Sequence, residues 1–443
     1  MYRKAIEDLR KWKKGGHKPL IIRGARQTGK TWLMKEFGRS DWQQTVYINF
    51  DNNPQMEALF DRDLDTTRLI EGLELYSKTK IESGTTLLVF DEIQEVPKAL
   101  GSLKYFNENA PQYHIVCAGS LLGIALHPGT SFPVGKVEFL DLRPLSFTEF
   151  LCAMGEERFS ALLEQGDFDM IRPFKTDYID LLKRYYFVGG MPEAVKHFAE
   201  HRDYGQAREI QRRILEAYEQ DFSKHAPPSL VPRIRQIWNS IPSQLARENR
   251  KFVYGLVREG ARAKEYESAL FWLSDCGLVH QVHRVTVPRI PLKVYEDPKA
   301  FKLFSLDLGL LSCMAGLGPE TLIGGSEFFT EFKGAVTEQY VLQEFKTRRD
   351  ISVYYWSSDT GRAELDFVID IQNETEQAVP VEVKAERTLQ AKSLKVYREK
   401  FSPAVSIRLS MADYACSGDA ETGRLIDLPL YAAGNVHTGI TVY

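Results

Sequence analysis

The fold of this 443-residue chain is decided by residues 24–31, which read Gly24-Ala25-Arg26-Gln27-Thr28-Gly29-Lys30-Thr31. They satisfy the pattern G-x-x-x-x-G-K-[ST] and lie between the apolar run Leu20 to Arg23 and a helical pattern that opens at Trp32. Glycines allow backbone angles that aim several N–H groups into one concavity, and Lys30 supplies a mobile cation. The stretch therefore predicts a loop that holds the outer phosphates of a nucleotide, with Thr31 as a magnesium ligand.

A second acidic element belongs to the same prediction. The apolar residues Leu87 to Phe90 lead directly into Asp91 and Glu92. A buried strand that ends in acids would place Asp91 near the metal ion and Glu92 near the attacking water. Taken alone, two acids at this place would more often be a solvated strand end. They indicate a nucleotide site only because the phosphate-loop pattern occurs in the same chain.

Three further residues are candidates for contacts with the nucleotide. Ser120 follows the apolar run His114 to Ala118, at the edge where the phosphates would lie, and could report the γ-phosphate. A helix-capping serine before Leu121 explains the same residue equally well. Arg26 within the loop and Arg143 after the last predicted strand are candidate arginine fingers.

Residues 1–150 alternate short apolar runs with longer helical patterns, which is typical of a parallel sheet flanked by helices. The predicted strands are Leu20–Arg23, Thr45–Asn49, Leu87–Phe90, His114–Ala118 and Val137–Leu140. Residues 151–225 have a helical period and are predicted to form a lid. The prolines in His225-Ala226-Pro227-Pro228 restrict the backbone and indicate a boundary there.

Residues 226–315 are predicted to form a winged helix. The pattern gives helices at Val231–Asn239, Ser243–Val257 and Ala261–Ser274, then strands at Gly277–Val287 and Phe301–Phe304. Between Val231 and Ile290 there are ten Lys or Arg and five Asp or Glu, so positive charge is concentrated here. The basic residues suited to contact DNA are Arg258, Arg262, Lys264, Arg284 and Arg289. A protein-contact module is the alternative, since Glu265 and Glu267 lie on the same helix.

Residues 316–443 are predicted to run helix, three strands, helix, strand. Glu364 and Asp366 lie on one face of one strand, and Glu382 and Lys384 on one face of the next. A hairpin would bring the two sets together, and carboxylate oxygens suit magnesium. A cross-strand ladder of ion pairs is the plain alternative for the same pattern.

The chain resembles the bacterial and archaeal family of AAA-type ATPases that carry a C-terminal domain related to restriction endonucleases. The matching stretches are GARQTGKT, VFDEIQ, AGSLLG, SFPVGKVEFLDLRPLSFTEFL and YYFVGGMPEAV. The resemblance implies an α/β P-loop NTPase core with sheet order 5-1-4-3-2, and ATP with Mg²⁺ as the ligand. The chain has Gly135-Lys136 where many relatives have Gly-Arg, which puts an intermolecular arginine in doubt.

The C-terminal pattern resembles the PD-(D/E)xK nuclease core, in which acids of a helix and two strands share a metal ion. The resemblance assigns Glu338, Asp366 and Glu382 to the metal and Lys384 to positioning or activating a water. That fold also serves as a binding scaffold, so nuclease activity stays open.

The amino-acid composition limits the classes of protein to which this chain can belong. With 57 Lys plus Arg against 60 Asp plus Glu, the net charge of −3 excludes a surface coated in nucleic-acid-binding charge. Five scattered cysteines without a C-x-x-C pair indicate no disulfide framework or zinc finger, and no membrane span is evident, so a cytoplasmic protein is expected. Two functions follow as hypotheses: an ATP-regulated DNA-processing enzyme, or a nucleotide-controlled switch or assembly protein with a non-catalytic C-terminal domain. Assembly into a homo-oligomer stays open.

Overall fold

The computed structural model divides into two compact units. The N-terminal unit comprises Tyr2–Arg143 with Asp275–Gly277, and the C-terminal unit comprises Pro144–Ser274 and Leu278–Tyr443, with Met1. The four-part division predicted from sequence stays a prediction. The structure describes residues 1–15, 18–119, 132–247, 251–323, 330–358, 361–372, 375, 377–386, 391–419 and 421–437.

The N-terminal unit alternates strands and helices, as predicted. Its elements are α1 (Ala5–Lys14), β1 (Leu20–Arg23), α2 (Lys30–Asp41), β2 (Gln44–Asn49), α3 (Pro54–Arg62), α4 (Thr66–Ser77), β3 (Thr86–Asp91), α5 (Pro97–Asn109), β4 (His114–Ala118) and β5 (Glu138–Asp141). A short 3₁₀ helix, Ile93–Glu95, follows β3. Local signals fix the helix starts: the Asn53 and Asp65 side chains accept hydrogen bonds from the first turns of α3 and α4.

The five strands form one parallel sheet in the order β2-β3-β4-β1-β5. Read from the other edge, this is the order 5-1-4-3-2, so the predicted topology is confirmed. All six residues of β3 are buried, because this strand lies inside the sheet and both of its faces are covered by separate apolar clusters. The sheet thus delivers Asp91 to its carboxyl edge, where the loop after β1 also lies.

The C-terminal unit begins with helices, in the region predicted as a lid. They are α6 (Phe147–Ala153), α7 (Glu157–Gln165), α8 (Phe168–Ile171), α9 (Lys175–Val188), α10 (Pro192–His201) and α11 (Tyr204–His225), with a 3₁₀ helix at Arg172–Phe174. A capping box of Ser146 and Glu149 starts α6. The last of these helices ends before Pro227-Pro228, as proline requires.

The next segment contains α12 (Val231–Leu245), α13 (Tyr254–Val257), α14 (Ala263–Asp275), β6 (Val279–Val285) and β7 (Glu296–Ser305), with a 3₁₀ helix at Leu292–Tyr295. The predicted helix Ser243–Val257 is wrong. Helix α12 continues through Pro242, and the chain then becomes extended, because Phe252 donates its N–H to the carbonyl of Phe301 and Lys251 bridges to Lys302. A long-range pairing therefore overrides the local helical pattern.

The remaining elements are α15 (Leu308–Met314), α16 (Pro319–Ile323), α17 (Thr330–Lys346), β8 (Ile351–Ser357), β9 (Glu364–Ile371), β10 (Val379–Val383), α18 (Lys392–Phe401), β11 (Val405–Ser410), β12 (Ala415–Ser417) and β13 (Arg424–Pro429), then a 3₁₀ helix at Leu430–Asn435. The predicted ending with one strand is wrong, since β12 and β13 follow β11. Strand β12 is short and fully exposed, so it carries no hydrophobic pattern.

Eight strands form a mixed sheet in the order β12-β13-β11-β10-β9-β8-β6-β7. The ribbon predicted as a wing, β6 and β7, is antiparallel, and β6 also pairs in parallel with β8. The ribbon is thus continuous with the C-terminal sheet, and the winged helix stays a prediction. Across the described residues, no helix combines the length and apolar character that a membrane crossing requires.

Candidate nucleotide site and a C-terminal acidic pocket

The loop between β1 and α2 takes a path that only some residues can follow. Gly24 has φ +152° and Gly29 has φ +92°. A Cβ atom on Gly24 would lie 2.3 Å from the carbonyl oxygen of Leu142. Gly24 is therefore required by both its backbone angle and its neighbour, as the motif predicts.

Hydrogen bonds within the loop, and others from a residue just before helix α1, hold the loop in place. The Thr28 hydroxyl donates to the Ala25 carbonyl at 2.9 Å. The buried Arg3 guanidinium donates to the carbonyls of Thr28 at 3.1 Å and Arg143 at 2.6 Å. Sequence reasoning missed Arg3, because nothing in its local pattern distinguishes it from the other basic residues near the N-terminus.

Lys30 points back along the loop. Its ammonium group donates to the carbonyls of Gly24 at 2.9 Å and Ala25 at 2.8 Å. Burial lowers the pKa of Lys30 to about 8, and the nearby Glu92 and Asp91 carboxylates oppose that shift. The cation is thus already placed at the loop before any ligand arrives.

Thr31 and Asp91 are brought together. The Thr31 hydroxyl donates to Asp91 Oδ2 at 2.7 Å, and the Tyr47 hydroxyl donates to the same oxygen at 2.8 Å. Burial raises the pKa of Tyr47, and the contact with Asp91 adds to this. A hydroxyl and a carboxylate oxygen side by side fit magnesium, which takes one or two protein ligands and completes its shell with phosphates and water. Tyr47 was missed, since its contact crosses from one strand to the next.

Glu92 lies one residue beyond, in a left-handed conformation with φ +51°. Gln94 Nε2 donates to Glu92 Oε2 at 2.6 Å, and the half-buried carboxylate is thereby oriented. A non-glycine residue in this region is uncommon and is often found at functional sites. The Glu92 carboxylate also acts on the charge of Lys30, so it lies near the phosphate loop.

The other predicted residues of this site have mixed outcomes. Ser120 lies outside the described residues. Arg26 is half-buried and lowers the pKa of Lys30 slightly, and burial lowers the pKa of Arg143. Lys136, the residue that put an intermolecular arginine in doubt, forms an ion pair with Glu108 at 2.9 Å. An arginine finger stays a prediction.

In the C-terminal unit, the predicted hairpin forms and gathers the charged residues. Strands β9 and β10 are antiparallel, with Val381 opposite Phe367. The Asp366 carboxylate accepts the N–H of Val383 at 2.7 Å, and Lys384 Nζ lies 2.6 Å from Glu382 Oε1. The other oxygen of Glu382 is buried with no hydrogen-bond partner.

Lys302, which sequence reasoning missed, joins these residues from strand β7. It is completely buried, and its Nζ lies 2.8 Å from Glu364 Oε1 and 3.6 Å from Glu338 Oε2. Burial raises the pKa of Glu382 to about 7, Asp366 adds to the rise, and Lys384 and Lys302 oppose it. We call the set Lys302, Glu338, Glu364, Asp366, Glu382 and Lys384 the acidic pocket.

The acidic pocket does not have the donor set of a metal site. Among the residues that the structure describes, no three or more His, Cys, Asp or Glu side chains are arranged to hold a metal ion. An ammonium group, Lys302 Nζ, instead lies among the carboxylates. Of the predicted ligands, Glu338 and Glu382 both interact with Lys302, and Asp366 interacts with Glu382, but this arrangement does not fit a divalent ion.

Comparison with known families assigns the first part of the chain. An AAA domain family matches residues 16–151, and two families described as domains of unknown function, DUF8612 and DUF4143, match residues 179–321 and 333–431. No curated protein matches the sequence. The N-terminal family covers the loop, Asp91 and Glu92.

Three solved structures with some likeness to this chain are remote in sequence. A Walker-type ATPase of Pyrococcus abyssi is 12% identical with a TM-score of 0.45, over 71% of this chain and 95% of that one. DnaA of Aquifex aeolicus bound to AMPPCP is 11% identical with a TM-score of 0.23, over 62% and 89%. Cdc6p of Pyrobaculum aerophilum is 13% identical with a TM-score of 0.23, over 73% and 93%.

Likeness at this level supports no inference for the whole chain. The family match and the geometry of the loop and sheet are independent of it. On their strength, the N-terminal part of this chain is an AAA-type P-loop ATPase domain.

Proposed function

We propose that the loop Gly24 to Thr31 binds the phosphates of ATP together with a magnesium ion held by Thr31 and Asp91, and that the domain hydrolyses ATP. The observation that carries this proposal is the 2.7 Å contact between the Thr31 hydroxyl and Asp91, beside the Lys30 ammonium. Bound magnesium would neutralise charge on the outer phosphates.

The protein's own groups have separate roles in this proposal. The N–H groups of the loop and of the start of α2 bind phosphate oxygens. Lys30 exchanges the carbonyls of Gly24 and Ala25 for the outer phosphates, and its charge offsets theirs. Glu92, oriented by Gln94, accepts a proton from the attacking water.

Phosphate release and nucleotide binding test this assignment. Glu92→Gln should keep ATP binding and lower kcat by about 10²–10⁴-fold, since it removes only the general base. Lys30→Ala should lose both binding and hydrolysis. Glu95→Gln, at an exposed carboxylate nearby, is the matched control and should behave as the wild type. Full hydrolysis by Glu92→Gln would remove Glu92 from the mechanism.

For the rest of the chain, the acidic pocket favours a nucleotide-controlled switch or assembly protein. The Lys302 ammonium among the carboxylates supports a C-terminal domain that holds a partner without cleaving it. Under this proposal Asp366→Ala leaves the nucleotide response intact, whereas Lys30→Ala abolishes it. The readout is amide hydrogen exchange of the C-terminal unit with and without Mg-ATP.

DNA processing is the second candidate, and it is supported by the convergence of Asp366, Glu382 and Lys384. It predicts cleavage of plasmid or single-stranded DNA in the presence of magnesium or manganese. Lys384→Ala is the control, and cleavage that survives this change would come from a contaminant. If freshly purified wild-type protein cleaves no DNA, DNA processing is ruled out and the nucleotide-controlled switch remains as the proposal.

Contact with DNA without cleavage depends on the basic residues of the middle segment. Arg258 lies 3.9 Å from Glu265, and Arg284 is paired with Asp297 at 2.7 Å, so part of this charge is already compensated. If DNA binds here, salt should weaken the complex strongly, and neutralising Arg258, Arg262 and Lys264 together should abolish gel retardation.

A further inference from the structure

The position of Lys302 is fixed by its backbone. It lies on β7 opposite Val282 of β6, and on its other side it bridges to Lys251. The neighbouring Phe301 carbonyl accepts the N–H of Phe252 at 2.8 Å. Because the strand is paired on both sides at this point, the backbone of Lys302 cannot move away without breaking the sheet.

The charges of the acidic pocket show what Lys302 does there. The carboxylates of Glu338 and Glu364 contact the Lys302 ammonium, and that of Glu382 contacts the Lys384 ammonium. The fourth carboxylate, Asp366, lies near enough to Glu382 to raise its pKa. Lys384 is partly exposed, whereas Lys302 is completely buried. A buried ammonium is costly unless carboxylates surround it, and buried carboxylates equally need a cation.

The same space cannot hold Lys302 and a divalent ion together. An ion bound by Glu338 and Glu364 would lie within a few ångströms of the Lys302 Nζ that both carboxylates already contact. Like charges repel strongly when water is excluded. Tyr355 further closes the space, with its ring centroid 5.0 Å from Nζ.

We infer that Lys302 is an internal substitute for a metal ion: its ammonium group fills the cation position of the acidic pocket, and the pocket of the wild-type protein takes up no divalent ion. This goes beyond the ATPase and does not depend on it. The pocket then links β7, α17 and the β9–β10 hairpin, and Lys302 with Lys384 offsets part of the charge of its four carboxylates.

The test is a titration of nucleotide-free, full-length protein with Mn²⁺, with free Mn²⁺ followed by its electron paramagnetic resonance signal. The wild type should bind no Mn²⁺ that depends on Asp366. Lys302→Met, which keeps the length and loses the charge, should gain about one Mn²⁺ per chain, since the carboxylates then lack a cation. Mn²⁺ should also raise the Tm of this variant. Lys302→Arg, the matched control, keeps the charge and should bind none.

Two outcomes would overturn the inference. One is stoichiometric Mn²⁺ binding by the wild type that is lost in Asp366→Asn and kept in Asp91→Asn, because the pocket would then be a metal site. The other is a folded Lys302→Met that binds no Mn²⁺. The first outcome needs no Lys302 variant, so the inference stays testable even if Lys302→Met does not fold.

Discussion

Gly24 is the residue where the nucleotide loop leaves least room for a side chain. We expect Gly24→Ala to lower the free energy of unfolding and to weaken ATP binding, because the new Cβ would meet the Leu142 carbonyl. Gly84→Ala is the matched control: it also has positive φ, at +79°, yet nothing lies within 4 Å of its Cβ position. The control should cost about 1–2 kcal/mol from backbone strain alone. Gly24→Ala should cost about 1–3 kcal/mol more, by chemical denaturation. Equal losses would mean that the Leu142 carbonyl moves aside freely.

Lys30 should make ATP binding depend on pH. Its pKa is lowered to about 8 by burial, so the nucleotide-free protein loses this proton as the pH rises through that value. Bound phosphates would restore the charge, so ATP binding at higher pH takes up a proton. The affinity should therefore fall by up to about tenfold per pH unit above pH 8, as calorimetry can measure. Lys30→Arg stays charged throughout and should bind more weakly but without this dependence. A flat profile for the wild type would contradict the proposed role.

Single residues differ in how far sequence could predict them. Lys30, Thr31 and Asp91 stand in a local motif whose chemistry requires them, and the structure brings them together. Tyr47 and Lys302 reach their partners across strands that are distant in the chain. Their contacts depend on sheet register and side-chain length, which leave no local signal.

Among the elements, the strands of the N-terminal sheet were predicted to within one residue at each end. Buried parallel strands are continuous apolar runs, so the local pattern is sufficient. The prediction of a helix at Ser243–Val257 was wrong because Lys251 and Phe252 pair with strand β7 instead. Strand β7 begins at Glu296, ahead of the apolar run Phe301–Phe304 from which it was predicted. The first residues of the strand are polar, so no apolar pattern indicated them.

The stretch YYFVGGMPEAV, which lies in the segment matched by the DUF8612 family, is part of a buried polar joint in the C-terminal unit. Asp307 accepts the N–H of Gly190 at 2.6 Å, and Gln343 of α17 donates to the hydroxyl of Tyr185 at 2.8 Å. Glu344 accepts the N–H of Phe147 at 2.8 Å, at the start of α6. Helices α6, α9, α15 and α17 are thus tied together by hydrogen bonds that are shielded from water.

Removing Gln343 should loosen this joint. Its side chain also accepts the N–H of Leu308 at 2.8 Å, so Gln343→Ala leaves several buried groups without partners. We expect the free energy of unfolding to fall by about 1–3 kcal/mol. Gln206→Ala, at an exposed glutamine on α11, should change it little. Equal stability of the two variants in urea would show that water replaces the lost contacts.

At the scale of the whole molecule, sequence did not predict which segments share a sheet. The ribbon β6–β7 was assigned to a wing, and it joins β8 in an eight-stranded sheet. Strand pairing between segments separated by α15, α16 and α17 has no signature in either segment alone. The polar joint and the acidic pocket both lie in this unit, so its helices and sheet are expected to respond as one body.

That expectation gives a test of the switch. Mg-ATP should slow amide exchange in β1 and β3 of the N-terminal unit, where the ligand binds, by mass action. If nucleotide controls the C-terminal unit, exchange should also change in residues 145–190 and 305–345 together, because the joint ties them. Lys30→Ala should abolish both effects, and Lys14→Ala, at an exposed lysine of α1, should keep both. If amide exchange in the wild type changes only within residues 2–143, a nucleotide-controlled switch is contradicted. The protein would then be an ATPase whose C-terminal unit does not respond to the bound nucleotide.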